Sequence, residues 1–368
     1  LPSKPKIFHG RDSELDNLVK ILSQKSARIA ILGAGGMGKT SLARAALHHE
    51  DVASKYEYCF FVPCDSATTS IEIAALIGTN IGLKLGENLT QSVLHYFAGQ
   101  RTSLLVLDNL EIPWEPLKSR RGVEELLSWL TEIPHLAVMI TMRGAERPAS
   151  VCWTKPFLPP LQPLSDDAAR QTFFDIAGEF HESKHLDQVL RLTDNMPLAV
   201  DLIAHLVDNE GCSSVLARWE REKTSLLSVG HGRRSNLDAS IAISLSSPRL
   251  TSSPGAMDLL RLLSILPDGL SNIELLQSCL PIRDVLTCTS VLVGTSLAYQ
   301  DGKKRLKSLV PIREHMQHFH SPPLSLIQPL QKYFYLLLDL YKKYHGSQHM
   351  ATNINQIISN FGNLNQIL

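Results

Sequence analysis

The sequence predicts an α/β fold: a parallel sheet with helices on both faces, followed by a small helical domain and a winged-helix domain. Between residues 28 and 162, four short apolar runs alternate with helical patterns. Runs that are apolar throughout are typical of strands buried on both faces, as in a parallel sheet covered by helices. After Pro163 the strand signal ends and helical spacing continues alone.

The four apolar runs are the candidate strands of the sheet. They read RIAILG, YCFFVPC, SLLVLDN and LAVMITM. Ahead of them, apolar residues at Leu15, Leu18, Ile21 and Leu22 recur at helical spacing, which predicts a helix before the first strand.

A glycine-rich turn, here named the glycine loop (residues 33–40), joins the first run to a helical pattern. It reads GAGGMGKT and satisfies the pattern G-x-x-x-x-G-K-[ST]. In such a turn, backbone N–H groups point at phosphate oxygens, and the following helix adds its positive N-terminal end. Lys39 would neutralise the β- and γ-phosphates, and the Thr40 hydroxyl would ligate Mg²⁺. An ordinary strand-to-helix turn is the alternative. The candidate nucleotide-binding residues of the loop are Gly33, Ala34, Gly35, Gly36, Met37, Gly38, Lys39, Thr40 and Ser41.

The third apolar run ends in a carboxylate, Asp108. The carboxyl ends of parallel strands border the ligand crevice of an α/β sheet, so Asp108 is expected to hold Mg²⁺, directly or through water. Asn109 follows, where many fast ATPases place an acid that polarises the attacking water. Glu111 and Glu115 are the alternatives for that role. The sequence therefore predicts an ATPase that hydrolyses slowly.

The fourth run is followed by an arginine, Arg143, at the same edge of the predicted sheet. An arginine there reaches a γ-phosphate with charge-assisted hydrogen bonds. The alternative for Arg143, and more so for Arg147, is a solvated loop arginine. The candidate catalytic residues are Asp108, Glu111 and Arg143, and the candidate metal ligands are Thr40 and Asp108.

Spacing divides the chain into four predicted domains. The nucleotide-binding α/β domain covers 1–162, and a small helical domain covers 163–232. Residues 233–320 combine helices with a hairpin signal around Asp301-Gly302, which suggests a winged-helix unit. Residues 321–368 are predicted to be a helical linker or the start of a repeat region. Within 228–236, the stretch SVGHGRRSN is predicted to be a linker.

Composition bounds the possible partners. The 368 residues carry 36 Lys plus Arg and 36 Asp plus Glu, so the formal net charge is zero. A general electrostatic grip on nucleic acid or on an anionic membrane is therefore not expected. The sequence has no apolar run long enough to predict a membrane helix, and its six cysteines show no C-x-x-C pair. A cytoplasmic protein with free thiols is the expectation.

In this order, the motifs resemble the STAND class of P-loop NTPases, of the NB-ARC/NACHT type, over about residues 6–320. The stretch from Phe8 to Asp12, FHGRD, looks like the family's "hhGRE" motif, which packs near the adenine. NMPLAV resembles the "GLPLA" motif, whose proline contacts the base. The resemblance therefore implies nucleotide contacts for Phe8, Gly10, Arg11 and Pro197.

Further stretches extend the resemblance. ITMRG looks like the family's first sensor, and LQPLSDDAARQTFF resembles its "L-x-P-L-S-x-x-E-A-x-x-L-F" motif. LDNLEIPWE, TMRGAERP and LVPIREH are similar to a fungal group with C-terminal, TPR-like helical repeats. Two positions depart from the family. Asn195 stands where the family has glycine, and Lys307 stands where the histidine of the "MHD" signature senses the β-phosphate, with Lys307 or His315 as the possible replacement.

The resemblance implies a signalling switch that binds ADP or ATP with Mg²⁺, hydrolyses ATP weakly and self-associates when activated. An unknown protein ligand or effector would act through regions outside this sequence. A conventional ATPase is one alternative. A DNA-binding regulator is another, with Gly302-Lys303-Lys304-Arg305 as a basic wing. Its expected recognition segment, IRDVLTCTSVLVG, carries only Arg283 as a base-reading cation, so nucleic acid is not the expected partner.

Overall fold

The computed structural model describes residues 1–83, 88–178, 183–227, 236–343 and 350–368, with the backbone alone at 183, 184 and 350–353. The chain divides into two compact units. The first comprises Leu1–Phe180 and Asn195–Asp208, and the second comprises His181–Asp194 and Asn209–Leu368.

Each apolar run forms a strand of the first unit. The strands are β1 (Arg28–Gly33), β2 (Tyr58–Pro63), β3 (Ser103–Asp108) and β4 (Leu136–Arg143). They form a four-stranded sheet in the order β1-β4-β3-β2, and all neighbours pair in parallel. An isolated parallel bridge joins Gly33 to Leu161 beside β1. The predicted α/β fold with a parallel sheet is therefore confirmed.

Helices make up most of the remaining described chain. In chain order they are α1 (Asp12–Leu22), α2 (Lys39–Leu47), α3 (Glu50–Lys55), α4 (Ser70–Asn80), α5 (Leu89–Ala98), α6 (Glu111–Trp114), α7 (Leu117–Glu132), α8 (Asp166–Ala177), α9 (Ser183–Thr193), α10 (Pro197–Glu210), α11 (Cys212–Glu222), α12 (Leu237–Leu245), α13 (Pro248–Thr251), α14 (Pro254–Ser264), α15 (Asn272–Gln277), α16 (Val285–Gly294), α17 (Val310–Phe319), α18 (Leu324–Lys343), α19 (Met350–Ser359) and α20 (Phe361–Ile367), with a 3-10 helix at Lys223–Leu226. No helix of the described ranges is long and apolar enough to cross a membrane.

Strand alternation separates the two faces of the sheet. Leu105 and Leu107 of β3, with Val138 and Ile140 of β4, lie in one buried cluster with apolar residues of α4, α5 and α7. Successive strand side chains point to opposite faces, so Asp108 and the neighbours of Ile140 lie on the other face. There, α2 contacts β1 and β4. Strand alternation thus directs Asp108 towards the helix that follows the glycine loop.

The second unit holds a small antiparallel sheet of three strands, β5 (Leu270–Ser271), β6 (Tyr299–Gln300) and β7 (Arg305–Lys307), in the order β5-β7-β6. The pairing of β6 with β7 confirms the predicted hairpin around Asp301-Gly302. The side chain of Arg305 is buried and donates to Glu274, Asn360 and the Gly269 carbonyl. Arg305 therefore supports this sheet from inside and is not part of an exposed basic wing.

The chain passes between the two units three times, once between Asp194 and Asn195. Both residues have positive φ angles, of 47° and 55°, in a region that non-glycine residues seldom adopt. In the second unit, Asp194 Oδ2 accepts from the N–H of Val310 at the start of α17 (3.2 Å). In the first unit, the Asn195 carbonyl accepts from the N–H of Leu164 (3.0 Å), and its amide donates to Asp166 Oδ1 (2.6 Å).

The compact units do not follow the boundaries predicted from sequence. The predicted helical domain, 163–232, contributes α8 and most of α10 to the first unit, but α9 and α11 to the second. The predicted linker at 228–236 lies almost wholly outside the described residues, which resume at Asn236. The four-domain division, including the winged-helix unit and the repeat region, stays a prediction.

Candidate functional site

The glycine loop has the backbone that its glycines were expected to permit. Gly33, Gly36 and Gly38 have φ angles of 145°, 79° and 83°, all in the region where side-chain-bearing residues are strained. A Cβ built on Gly38 would meet no atom within 4 Å, so open space borders the loop there. Gly38 is also the N-cap of α2, whose positive end faces this position.

Lys39 is a buried cation at the first position of α2. Its Nζ donates to the carbonyls of Gly33 (2.9 Å) and Ala34 (2.7 Å), which are neutral acceptors in its own loop. Burial lowers the pKa of the Lys39 ammonium to about 8. Glu111 and Asp108 raise that pKa and Arg143 lowers it further, but burial dominates. A buried positive charge held by neutral carbonyls suits an anionic ligand such as a phosphate.

The lowered pKa of Lys39 makes stability depend on pH. Between pH 8 and about 10.5 the unfolded chain binds a proton at Lys39 that the folded chain has released. The free energy of unfolding of the ligand-free protein should therefore rise with pH in this window, by up to about 3 kcal/mol relative to Lys39→Met. Urea unfolding of both proteins at pH 7.5, 9 and 10.5 measures the difference. Parallel pH profiles would contradict a lowered pKa.

Asp108 and Thr40 meet on the α2 side of the sheet. The Thr40 hydroxyl lies 2.8 Å from Asp108 Oδ1 and 3.1 Å from Oδ2, and Asp108 is fully buried. The two candidate metal ligands, 68 positions apart in the sequence, are thus in direct contact. A hydroxyl beside a carboxylate is an oxygen pair of the kind that Mg²⁺ prefers.

Glu111 and Arg143 form a buried ion pair beside Lys39. Arg143 Nε donates to Glu111 Oε1 (3.2 Å), and the main-chain N–H of Arg143 donates to Oε2 (3.3 Å). The two side chains are 4% and 11% exposed. The structure therefore joins two candidate catalytic residues to each other, with both oxygens of the Glu111 carboxylate engaged by Arg143.

The amino-terminal candidates lie beside the glycine loop. Arg11 is buried; its guanidinium donates to the Met37 carbonyl (3.4 Å), to the Gln162 carbonyl and to Glu14. Gly10, with φ of 65°, leaves no space for a side chain, because an added Cβ would lie 2.3 Å from the Cβ of Ala168. Phe8 is half-buried. Arg11 thus donates to the main chain of the glycine loop at Met37, a contact that sequence alone did not indicate.

Pro197 opens α10, as predicted, and α10 contacts the glycine loop. The N–H of Leu198 donates to the Gly36 carbonyl (3.1 Å). A Cβ on Gly36 would lie 3.0 Å from the Leu198 Cβ and 3.3 Å from the Met196 sulfur. A side chain at position 36 would therefore crowd the start of α10, and the φ of 79° would strain it in any case.

Two further residues considered from the sequence are Arg147 and Asn109. Arg147 donates to the Leu158 carbonyl and lies over the Phe157 ring, 4.7 Å from its centroid, so it packs on the protein. Asn109 has a φ of 60°, and its amide donates to Asp65 Oδ1 (2.6 Å). Sequence reasoning did not single out Asp65. Its position directly after the second apolar run was the available signal, because parallel strands end at one edge.

Together, these residues fit a phosphorylated ligand with a divalent cation. Lys39 and the loop N–H groups would bind phosphate oxygens, and Thr40 and Asp108 would hold Mg²⁺, which neutralises phosphate charge when bound. The observations that carry this fit are the buried ammonium of Lys39, the open space at Gly38 and the contact between Thr40 and Asp108.

Comparisons with known proteins agree with this fit. Residues 2–150 match the family model described as nSTAND1, Novel STAND NTPase 1. A comparison with curated proteins found no match.

Among solved structures, this chain is similar to the Walker-type ATPase PABY2304 of Pyrococcus abyssi. The match covers 87% of this chain and 99% of that protein's chain, with 13% identity and a TM-score of 0.55. A second match is the Aeropyrum pernix ORC2 protein, solved in ADPNP–ADP complexes. This match covers 92% of this chain and 97% of that one, with 13% identity and a TM-score of 0.50. A third match is a STAND protein with a tetratricopeptide repeat sensor, PH0952 of Pyrococcus horikoshii. It covers 98% of this chain and 52% of that one, with 13% identity and a TM-score of only 0.38.

At 13% identity, the first two likenesses show the fold alone: a P-loop NTPase-like α/β fold. The family match covers less than half of the chain, and together with this fold it supports a nucleotide-binding ATPase.

Proposed function

We propose that this chain is a nucleotide-operated switch of the STAND class, of the NB-ARC/NACHT type. It binds adenine nucleotide with Mg²⁺, hydrolyses ATP slowly, and changes conformation when ATP replaces ADP, which leads to self-association. One observation carries the proposal: the N–H of Leu198 is hydrogen-bonded to the Gly36 carbonyl. The loop that would hold the phosphates thus contacts a helix that continues into the second unit at its far end.

Slow hydrolysis is supported by the carboxylates near Asp108. Asn109 supplies an amide where an acid would polarise water, and Glu111 is engaged by Arg143 through both carboxylate oxygens. A general base must be within reach of the water whose proton it takes, and its acceptor atoms must be available. A conventional, fast ATPase is therefore the weaker alternative.

Sensing of the γ-phosphate is assigned to Arg143, as the family resemblance implies. Moving a two-state population from 1:99 to 99:1 takes about 5.5 kcal/mol of differential affinity. Hydrogen bonds to charged groups contribute about 1.5–3 kcal/mol each. Two or three contacts that form with ATP and not with ADP would therefore supply this difference in affinity. The proposed contacts come from Arg143, from Mg²⁺ held by Asp108 and from one further group.

Transmission from the nucleotide is assigned to the segment from Asp194 to Leu198. Leu198 contacts the glycine loop, Asn195 bonds within the first unit, and Asp194 bonds to the start of α17 in the second. The two positive φ angles at Asp194 and Asn195 restrict the conformations of the connection. In this proposal, a change at Gly36 reaches Asp194 through the main chain of these five residues.

DNA binding through a winged helix receives little support from the charges. Arg305, the third cation of the expected basic wing, is buried against Glu274, which leaves Lys303 and Lys304 exposed there. A nucleic-acid surface normally carries a larger cluster of cations.

The switch is tested by the nucleotide that copurifies with the protein. We expect ADP, retained through gel filtration, in the monomeric fraction, and ATP in any larger assembly. Extraction of the nucleotide, chromatography and light scattering measure both quantities on the same sample. Turnover of tens per second, with easy exchange of ADP, would contradict the switch and favour a conventional ATPase.

Asp108→Asn should separate the two nucleotides. The neutral amide keeps the size of the side chain but removes the charge that would balance Mg²⁺, so the affinity for Mg-ATP should fall about 10-fold or more. The affinity for ADP without Mg²⁺ should change little. Calorimetric titrations with and without EDTA measure both affinities. Asp16→Asn, at an exposed position on α1, is the matched control. Equal losses for both nucleotides would argue against a metal role.

A further inference from the structure

The Thr141 hydroxyl is fully buried at the end of β4. It donates to Asp108 Oδ1 (2.6 Å), and it accepts from the main-chain N–H of Asn109 (3.0 Å). One hydroxyl on β4 therefore joins the candidate metal carboxylate to the turn that follows it on β3. The family resemblance places Thr141 in the first-sensor stretch ITMRG, where the contact with the γ-phosphate is assigned to Arg143 and not to Thr141.

The placement of Thr141 follows from the sheet. Leu107 of β3 is paired with Ile140 of β4, so the next residues, Asp108 and Thr141, lie side by side. Alternation directs both of these side chains to the α2 face, because Leu107 and Ile140 lie in the cluster on the opposite face. Thr40, in the first turn of α2, approaches the same carboxylate from the helix. Asp108 thus lies between one hydroxyl on α2 and one on β4.

The two hydroxyls differ in how they are held. Thr141 has one hydrogen, which it donates to Asp108, and its oxygen is fixed by the Asn109 N–H at the same time. Thr40 is a candidate metal ligand, so its bond to Asp108 would be rearranged when Mg²⁺ binds. Thr141 is not a candidate metal ligand, so its hydrogen bond to Asp108 does not have to change when Mg²⁺ binds. That hydrogen bond would keep the Asp108 carboxylate in place while Thr40 turns from Asp108 to the metal.

We propose that Thr141 is the positioning residue for Mg²⁺ at this site, acting through the orientation of the Asp108 carboxylate. The proposal rests on the proposed nucleotide function and adds to it a residue that contacts neither nucleotide nor metal. Removing a residue that orients a metal ligand typically weakens metal affinity by about 10- to 100-fold. Loss of the Thr141 hydroxyl should therefore weaken the binding of nucleotide with Mg²⁺ and leave the binding of nucleotide without Mg²⁺ unchanged.

The test compares Thr141→Val, which keeps the shape and removes both hydrogen bonds, with Thr141→Ser, which keeps both. The affinity of each protein for ATP is measured in EDTA and across a titration of Mg²⁺, without any assay of turnover. For Thr141→Val we expect half-saturating Mg²⁺ to rise at least about 10-fold, with ATP affinity in EDTA within about twofold of the wild type. Thr141→Ser should restore the wild-type Mg²⁺ dependence.

Thr131→Val is the matched control for a lost buried threonine hydroxyl. Thr131 is buried on α7, and its hydroxyl donates to the Leu127 carbonyl (2.8 Å), away from the glycine loop. This variant should keep the wild-type Mg²⁺ dependence. If Thr141→Val does not fold, Thr141→Cys replaces it. A thiol is a weaker hydrogen-bond donor and acceptor than a hydroxyl, so the half-saturating Mg²⁺ of Thr141→Cys should be higher than that of Thr141→Ser.

Three results from the variants and one from the wild type would overturn the proposal. The Mg²⁺ dependence of Thr141→Val could equal that of the wild type, its ATP affinity could fall in EDTA as much as in Mg²⁺, or Thr141→Ser could fail to restore the dependence. Wild-type binding that is tight but indifferent to Mg²⁺ would also overturn it, and would leave nucleotide binding itself standing. Absence of nucleotide binding by the wild type would instead remove the proposed function beneath it.

Discussion

Replacing Lys39 with alanine is expected to weaken nucleotide binding by at least about 100-fold while leaving the fold intact. The ammonium of Lys39 is buried and bonded to the neutral carbonyls of Gly33 and Ala34, so a bound phosphate would gain an almost fully desolvated partner. A hydrogen bond to a charged group contributes about 1.5–3 kcal/mol, and this group would serve two phosphates. Titration calorimetry with ADP and with Mg-ATP measures the loss.

The fold of Lys39→Ala is checked by circular dichroism, since α2 begins at this residue and alanine favours helix. Lys118→Ala, at an exposed lysine near the start of α7, is the matched control and should bind nucleotide like the wild type. Unchanged ADP affinity in a folded Lys39→Ala protein would show that the glycine loop is not the phosphate site.

Glu111→Gln is expected to cost about 3–5 kcal/mol of unfolding free energy, because it replaces the buried carboxylate that contacts the Arg143 guanidinium with a neutral amide. The same substitution removes a carboxylate that raises the pKa of Lys39, so that pKa should fall further below its usual value. Chemical denaturation at pH 7 measures the stability, and the pH profile described for Lys39 reports the second effect.

A double variant and a surface pair control for the loss at Glu111. Arg143→Gln combined with Glu111→Gln removes both charges, and should recover part of the stability that the single variant loses. Glu125→Gln breaks a pair of the same chemistry with Arg121 on the surface of α7, and should cost at most about 1 kcal/mol. A Glu111→Gln protein as stable as Glu125→Gln would mean that the Glu111–Arg143 pair is solvated.

The sequence predicted the strands and the glycine loop because their causes are local. A strand buried on both faces is apolar at nearly every position, so a run such as LAVMITM can be recognised as a strand without knowing which strands lie beside it. The glycine loop can be recognised for a similar reason, because the glycines at 33, 36 and 38 permit the positive φ angles found at those positions. Pro197 at the start of α10 and the Asp301-Gly302 hairpin were also predictable from local preferences.

Contacts between distant strands were not predictable in this way. That Glu111 is engaged by Arg143, or that Thr141 bonds to Asp108, depends on β3 and β4 being neighbours in a particular register. The buried state of Arg305 was missed because Glu274 and Asn360, its partners, lie 31 and 55 positions away. A cation in a hairpin looks exposed until those partners are located.

The return of the chain to the first unit at Asn195–Asp208 has a practical consequence for anyone who expresses part of this protein. A fragment cut at residue 162, or at the end of the family match at 150, would lack the helix that covers Gly36. Such a fragment would carry every residue of the glycine loop and yet leave one side of it bare. A piece intended for nucleotide studies should therefore extend at least through α10.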